Sequence, residues 1–355
     1  MGIFTKNRTS NIGLDVSSTA VKLLEFGKEL VDNEPRYRIL NYAVAPLPTN
    51  AIVEKSVADV EAVMEAIESA LEKTKLRTKH AVVAVAGSSV INKVISLPAS
   101  LTRAELDAQI HIAVEQHIPY PLSEVRFDYD ILGPSDHSKE LMDVLIVASR
   151  KETVDSLMQA VEGAGLECEV VDIEAYAVER AAQLLDFSSF GVNPSVIAMA
   201  DIGATTMTLD VLQDGRAIYT REQNFGGSML TEQIQSRYGM SKEEAGAAKK
   251  LGGLPEDYEM ELLSPFKDSV VQQINRAVQF FYTAKQVKEI DVLVLSGGCA
   301  MMEGIEDLVS ERLGIPTKVA RPFETMAIGK NVDINALLKD SPAMMVAAGL
   351  AMRDL

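Results

Sequence analysis

The sequence predicts a two-lobed α/β protein, and three observations carry that prediction. At 355 residues the chain is about twice the roughly 150 residues of a typical domain, so two lobes are expected. An internal repeat points the same way: Ile12 to Leu24 can be laid over Ala198 to Asp210, with Asp15 on Asp201 and Thr19 on Thr205, about half the chain apart. The third observation is a buried-strand pattern, Asp291 to Ser296, that runs into Gly297-Gly298 and then into a helical pattern through Leu308.

Composition narrows the class. With 47% hydrophobic and 24% charged residues the chain reads as a soluble globular protein. A net charge of −17 repels phosphate backbones and anionic headgroups, so nucleic acid is not an expected partner. An aromatic share of 5% without tryptophan argues against stacking platforms for single strands. Cys168 and Cys299 have neither metal-ligand spacing nor the look of a disulfide framework, which makes a reducing cytoplasm the default. Apolar runs such as Ala81 to Ala86 fall far short of the roughly 20 residues of a bilayer span, so no direct membrane insertion is expected. The first ten residues read as a mobile lead-in: Lys6 stands where an acylation signal needs Ser or Thr.

Each half of the repeat is an apolar run of strand length that reaches Asp, turns through small hydroxyl-bearing residues, and resumes an alternating pattern. Ser17, Ser18 and Thr19 form the first turn, with Lys22 on the strand after it; Gly203, Ala204, Thr205 and Thr206 form the second. Small residues let backbone N–H groups approach an anion, and Asp15 and Asp201 offer hard oxygens to Mg²⁺ or its waters. Two such hairpins facing each other would grip a nucleotide's phosphates. The alternative is two ordinary hairpins with Asp near the strand ends. Gly297-Gly298 adds a turn where backbone can touch a phosphate or a flat ring.

The remaining segments follow from periodicity. Val57, Val60, Met64, Ile67 and Leu71 predict a helix over about 56–73. Strand Val90 to Leu97, a Thr102-x-x-Glu105 capping box opening a helix to His117, strands Val125 to Leu132 and Met142 to Ala148, and a helix from Glu152 to Ala164 make a small β-α-β-β-α unit. His111 and His117 lie on different sides of their helix and do not converge on a metal. Glu167 to Ile173 reads as a strand, followed by a helix to Leu185 with Glu174 at the junction. A second capping box, Ser241-x-x-Glu244, opens a helix through Lys250. Phe266, Val270, Ile274, Val278 and Phe281 form one apolar helix face, and Pro342 to Met352 a last, apolar helix.

The order of these motifs, with the Phe225 to Gly227 turn between the second hairpin and the Ser296-Gly297-Gly298 turn, resembles the actin, Hsp70 and sugar-kinase superfamily over essentially the whole chain. Within it the sequence is similar to the cell-division protein FtsA and, more closely, to the PilM family of type IV pilus assembly. Val53 to Lys55, Ala81 to Ser88, Glu115 to Val125, Tyr219 to Gln223 and Gly252 to Pro255 carry the closer likeness. The resemblance implies an actin-like (ribonuclease H-like) two-lobed ATPase fold with a small FtsA-type inserted subdomain. Residues 11–86 with 166–195 and 336–355 would form the first lobe, 87–165 the inserted unit, and 196–335 the second lobe.

The resemblance also implies ATP and Mg²⁺ between the lobes. Asp15 and Asp201 would serve the metal; Asp15, Ser17, Ser18, Thr19, Lys22, Asp201, Gly203, Ala204, Thr205, Thr206, Gly226, Gly227, Gly297 and Gly298 would surround the nucleotide. Lys249 matches a lysine that lies near the adenosine in relatives, whereas Gly246 stands where they have a ribose-binding Glu. Glu174 is the candidate to orient an attacking water, with Asp172 as the fallback and a helix-terminal acid as the structural alternative. At most slow ATP hydrolysis is expected. The implied role is a cytoplasmic scaffold at the inner face of the inner membrane, attached by binding the N-terminal cytoplasmic peptide of PilN. Contacts with pilus motor ATPases and the platform protein, and a homo-oligomer, are compatible with that role. The peptide is expected in a groove between the inserted unit and the first lobe, near Pro119-Tyr120-Pro121, separable from the nucleotide because it would abut one lobe only. The alternatives are an FtsA-like polymerising ATPase and a small-molecule kinase of the same superfamily.

Overall fold

The computed structural model describes residues 11–31, 34–135, 138–190, 193–284 and 289–353; the expected lead-in lies outside them. The chain opens with β1 (Ile12–Val16) and β2 (Ala20–Val31), which pairs with β3 (Glu34–Pro46). A hairpin of two-residue strands, β4 (Ile52–Val53) and β5 (Ser56–Val57), leads to α1 (Val60–Glu72) and β6 (His80–Val85). The small unit holds β7 (Val90–Pro98), α2 (Arg103–His117), β8 (Val125–Ser135) and β9 (Ser138–Arg150). Then come α3 (Lys151–Gly163), β10 (Glu167–Ile173) and α4 (Glu174–Ala182). The second lobe runs through β11 (Val196–Ile202), β12 (Met207–Gln213), β13 (Arg216–Gln223), α5 (Gly227–Tyr238), α6 (Lys242–Leu251), α7 (Ser264–Ala284), β14 (Val292–Ser296), α8 (Ile305–Leu313) and β15 (Thr317–Val319). The described chain closes with β16 (Ala327–Ile328), α9 (Ile334–Asp340) and α10 (Met345–Ala351).

Two mixed sheets result, in the orders β10-β6-β1-β2-β3-β16 and β13-β12-β11-β14-β15. They face each other across α4 and α10. One core cluster joins Leu24, Phe26 and Ile39 of the first sheet, Met199 and Val294 of the second, Val178 of α4, and Met345 and Ala348 of α10. This close stacking requires a bare backbone at Gly349, where a Cβ would stand 1.7 Å from the Ala177 carbonyl oxygen. The outer face of the second sheet is covered by α7, whose Phe266, Val270, Ile274, Val278 and Phe281 are all buried as the periodicity predicts.

Local structure departs from expectation where tertiary contacts intervene. The first helix starts at Val60, not 56, because Asp59 accepts from the Ala62 N–H at 3.0 Å as N-cap while Val57 pairs with Ile52 in the small hairpin. The α4 helix stops at Ala182, short of Leu185, and the last helix is a 3₁₀ turn over Ser341–Met344 followed by α10. Both capping boxes form as read, at Thr102/Glu105 and Ser241/Glu244.

The boundaries of the small unit also shift. Its own core consists of β7, α2, β8 and β9, with Ile110, Val114, Val144 and Ile146 at its centre. Helix α3 was expected inside it, yet Val154, Leu157, Ala160 and Val161 are buried in the first lobe's core with Val63 and Ile67 of α1. At the other end β16 adds to the edge of β3, so residues 327–328 belong to the first sheet rather than to the second lobe.

Candidate functional site

The two Asp-bearing hairpins end at the cleft between the lobes. In the first, Asp15 lies opposite Lys22 in the β1/β2 register, which puts both on one face, and Lys22 Nζ donates to Asp15 Oδ2 at 2.8 Å. In the second, Asp201 lies beside Ser296 of parallel β14, whose hydroxyl donates to Asp201 Oδ1 at 3.0 Å. Lys22 feels the fields of Asp15, Asp201 and Glu174; burial alone would lower its pKa, but these carboxylates outweigh burial and hold it raised. Burial raises the Asp201 carboxyl, opposed by Lys22 and the Ser296 hydrogen bond.

Glu174 sits at the strand-to-helix junction of β10 and α4, as read, and faces the same acids. Burial pushes its carboxyl up to about 7, opposed by Lys55, whose Nζ lies 3.5 Å from Glu174 Oε2, and reinforced by Asp15, Glu222 and Asp201. The fallback, Asp172, is excluded by its partners: it is buried and held by the guanidinium groups of Arg180 and Arg353, the latter at 2.8 Å. That carboxylate pins β10 and α4 to the chain's C-terminal segment.

Both turns differ from the expected phosphate cradles, because N–H groups in each are already spent on backbone carbonyls. Ser17 gives both its N–H (3.0 Å) and its hydroxyl (2.8 Å) to the Ala20 carbonyl, so it closes its own turn and leaves Ser18 and Thr19 at the tip. In the second lobe the turn packs backbone on backbone. Gly203 accepts from the Gly227 N–H at 3.0 Å, and Ala204 from the Ser228 N–H at 2.8 Å. A Cβ at Gly226 would meet Ala204 backbone at 2.5 Å, and one at Gly297, where φ is +83, would meet Ile202 backbone at 2.5 Å. Thr205 projects outward with its hydroxyl 3.5 Å from that of Thr206. Gly298 has open space before it.

Lys249 is beside Gly227 and stands apart from the acids. Its ammonium donates to the Gly227 carbonyl at 2.8 Å and the Thr231 hydroxyl at 2.7 Å, and burial lowers its pKa. Buried Cys299 lines the floor below, its thiol pushed up to about 11 by burial. A Cβ at Gly246 would meet open space, so that position offers no side-chain contact to a sugar. Carboxylates of this kind suit a divalent metal and ammonium groups suit phosphate, so the residues gathered here are chemically compatible with a magnesium nucleotide.

A second concavity, of about 410 Å³, runs between the small unit and the first lobe. Ile91, Ile118, Tyr120 and Arg150 line one side, Val57 and Thr153 the other, and Ser88 its inner end. Arg150 lies 4.6 Å from the centroid of the Tyr120 ring and donates to its hydroxyl at 3.0 Å, presenting a flat wall.

Residues 13–355 match the profile of the family described as type IV pilus assembly protein PilM. The chain belongs to the PilM family. A solved PilM–PilN type IV pilus biogenesis complex contains a chain 26% identical to this one, with a TM-score of 0.78 and 98% of each chain covered. Ethanolamine utilization protein EutJ from Carboxydothermus hydrogenoformans shares the fold at 15% identity and a TM-score of 0.54, over 96% of this chain and 88% of that one. FtsA of Bacillus subtilis (strain 168) is 22% identical over 361 residues, 89% of this chain and 79% of FtsA. The actin-like fold expected from the sequence is therefore the fold observed.

In this PilM-family chain the cleft contains three residues that the sequence reading gave no role: Lys55, Glu222 and Ser296. Lys55 and Glu222 both lie in segments quoted for the family likeness, yet neither has a motif of its own. The one local signal was a Glu54-Lys55 pair at a hairpin corner, where Asn-Gly is the usual choice. Among the described residues no helix is long and apolar enough to cross a membrane.

Proposed function

We propose that this chain is a nucleotide-binding scaffold of type IV pilus assembly that holds the N-terminal cytoplasmic peptide of PilN in the groove beside Tyr120. Membership of the PilM family and the likeness to the PilM–PilN complex support the partner. The single observation that carries the site is the groove, since its wall combines apolar side chains with the Tyr120–Arg150 plate that an extended peptide can lie against. A charge of −17 disfavours direct adhesion to anionic lipid, so PilN would supply attachment to the inner membrane and, through it, the link to the platform protein and motor ATPases.

Mg-ATP would occupy the cleft, with Asp15 and Asp201 toward the metal, Lys22 toward phosphate, and Ser18, Thr19, Thr205 and Thr206 at the turn tips. Bound ATP supplies a phosphoanhydride open to attack by water. Glu174 is the residue we assign to orient that water; burial pushes its carboxyl up to about 7, and it is paired with Lys55. The pairing with Lys55 competes with a water for the carboxylate and opposes proton uptake, which favours a structural or switching nucleotide over rapid turnover.

The test is titration of a synthetic PilN N-terminal peptide into wild type, Tyr120→Ala and Ile118→Arg. Binding should be saturable in wild type and at least roughly tenfold weaker in both variants, with melting temperatures reported alongside. Equal affinity in correctly folded variants would place the peptide elsewhere.

A further inference from the structure

The hairpin joining β4 and β5 turns through Glu54 and Lys55, and both have left-handed backbones, with φ +47 and +64. A two-residue corner of that hand is the natural place for Asn-Gly or Asp-Gly, because a Cβ crowds the chain there. Side chains at both corner positions persist where the surroundings hold them. Here the Ala51 carbonyl accepts from the N–H groups of Ala58 at 2.9 Å and Asp59 at 3.2 Å, fixing the loop's base. Lys55 then projects into the cleft, where Glu174, Glu222, Asp201 and Asp15, drawn from both lobes, all act on its ammonium. Burial works against the charge, and the four carboxylates overcome it and hold the pKa raised.

Lys55 differs from Lys22 in how firmly it is held. Lys22 is locked at 2.8 Å to its cross-strand partner within the sheet. Lys55 stands outside either large sheet, on a corner, and its 3.5 Å contact with Glu174 is an ion pair longer than a charge-assisted hydrogen bond. An anion with more charge than one carboxylate can draw it away. We infer that Lys55 is the specificity-determining cation of the cleft: it leaves Glu174 for the terminal phosphate of a nucleoside triphosphate, so the site distinguishes triphosphate from diphosphate. This rests on the reading that the cleft takes a nucleotide. The left-handed corner is retained, on this view, because it aims the ammonium.

Calorimetric titration of Mg-ATP and Mg-ADP into wild type, Lys55→Gly, Lys55→Gln and Lys55→Arg tests it, with melting temperatures measured on the same samples. Wild type should prefer ATP. Lys55→Gly and Lys55→Gln should lose roughly tenfold in ATP affinity while ADP stays within about twofold, and Lys55→Arg should keep most of the preference. Lys55→Gly should melt at or above Lys55→Gln, since both lose the cation and only glycine relieves the left-handed corner. An unchanged ATP/ADP ratio in the folded Lys55→Gly or Lys55→Gln protein overturns the assignment, as does a wild type that binds both equally. A folded wild type that binds neither nucleotide overturns the nucleotide reading itself, and the role of Lys55 falls with it.

Discussion

Ser88 gives its N–H to one carboxylate oxygen of Glu222 at 3.1 Å and its hydroxyl to the other at 2.7 Å. Ser88 follows β6 and lines the inner end of the groove, whereas Glu222 belongs to β13 of the second lobe and faces Glu174 and Lys55 electrostatically. The groove was expected to abut one lobe only. Its lining residues do come from the small unit and the first lobe, but one of them, Ser88, bonds Glu222 of the second lobe, so a peptide held on Ser88 would bear on that interlobe contact.

Peptide and nucleotide should therefore be coupled. A peptide that holds Ser88 against Glu222 favours the closed cleft, so saturating PilN peptide should tighten ATP binding by about fivefold or more, and ATP should tighten peptide binding by the same factor. In Ser88→Ala, which loses the hydroxyl bond, that factor should fall below about two. Calorimetry of each ligand with and without the other gives all four constants, and independence in wild type would rule the link out.

Asp201 has a different role from the exposed acids around it. On the proposed reading Asp201→Ala removes a metal carboxylate, and it leaves the Ser296 hydroxyl without its acceptor, so ATP affinity with Mg²⁺ should fall at least roughly tenfold. Exposed Glu303→Ala should change affinity little. Titrations with and without Mg²⁺ check the assignment, since the two proteins should converge when the metal is withheld.

The pH dependence of stability should carry the mark of Asp210. This β12 carboxyl is 2% exposed, accepts a 2.7 Å hydrogen bond from Thr220, and is pushed up to about 7 chiefly by burial. The native group thus keeps its proton to higher pH than the unfolded one, so its contribution favours folding below about pH 4 and is lost as pH rises through about 7. Asn at this position imitates the protonated acid and can still accept from Thr220. Asp210→Asn should be close to neutral near pH 3 and stabilising by roughly 1–4 kcal/mol near pH 8, read from denaturant melts at both values.

The elements legible from sequence alone are those whose causes lie within a few residues. Both capping boxes, the α7 face from Phe266 to Phe281 and the paired Asp hairpins were read correctly because each depends on spacing of three to four residues or on strand alternation. The repeat, with the family likeness, foretold the fold. Tertiary structure decided the rest, because burial partners come from any distance along the chain. Helix α3 carries an apolar face that two cores could have accepted, and only its packing on α1 assigns it to the first lobe. Asp172 and Glu174 are both acids at one junction, and what separates them is a pair of arginines, Arg180 and, nearly two hundred residues later, Arg353, which take Asp172 and leave Glu174 to the cleft. Lys55 and Glu222 carry no motif of their own, since a charge becomes part of a site only when register and lobe packing bring it within a few ångströms of its partner.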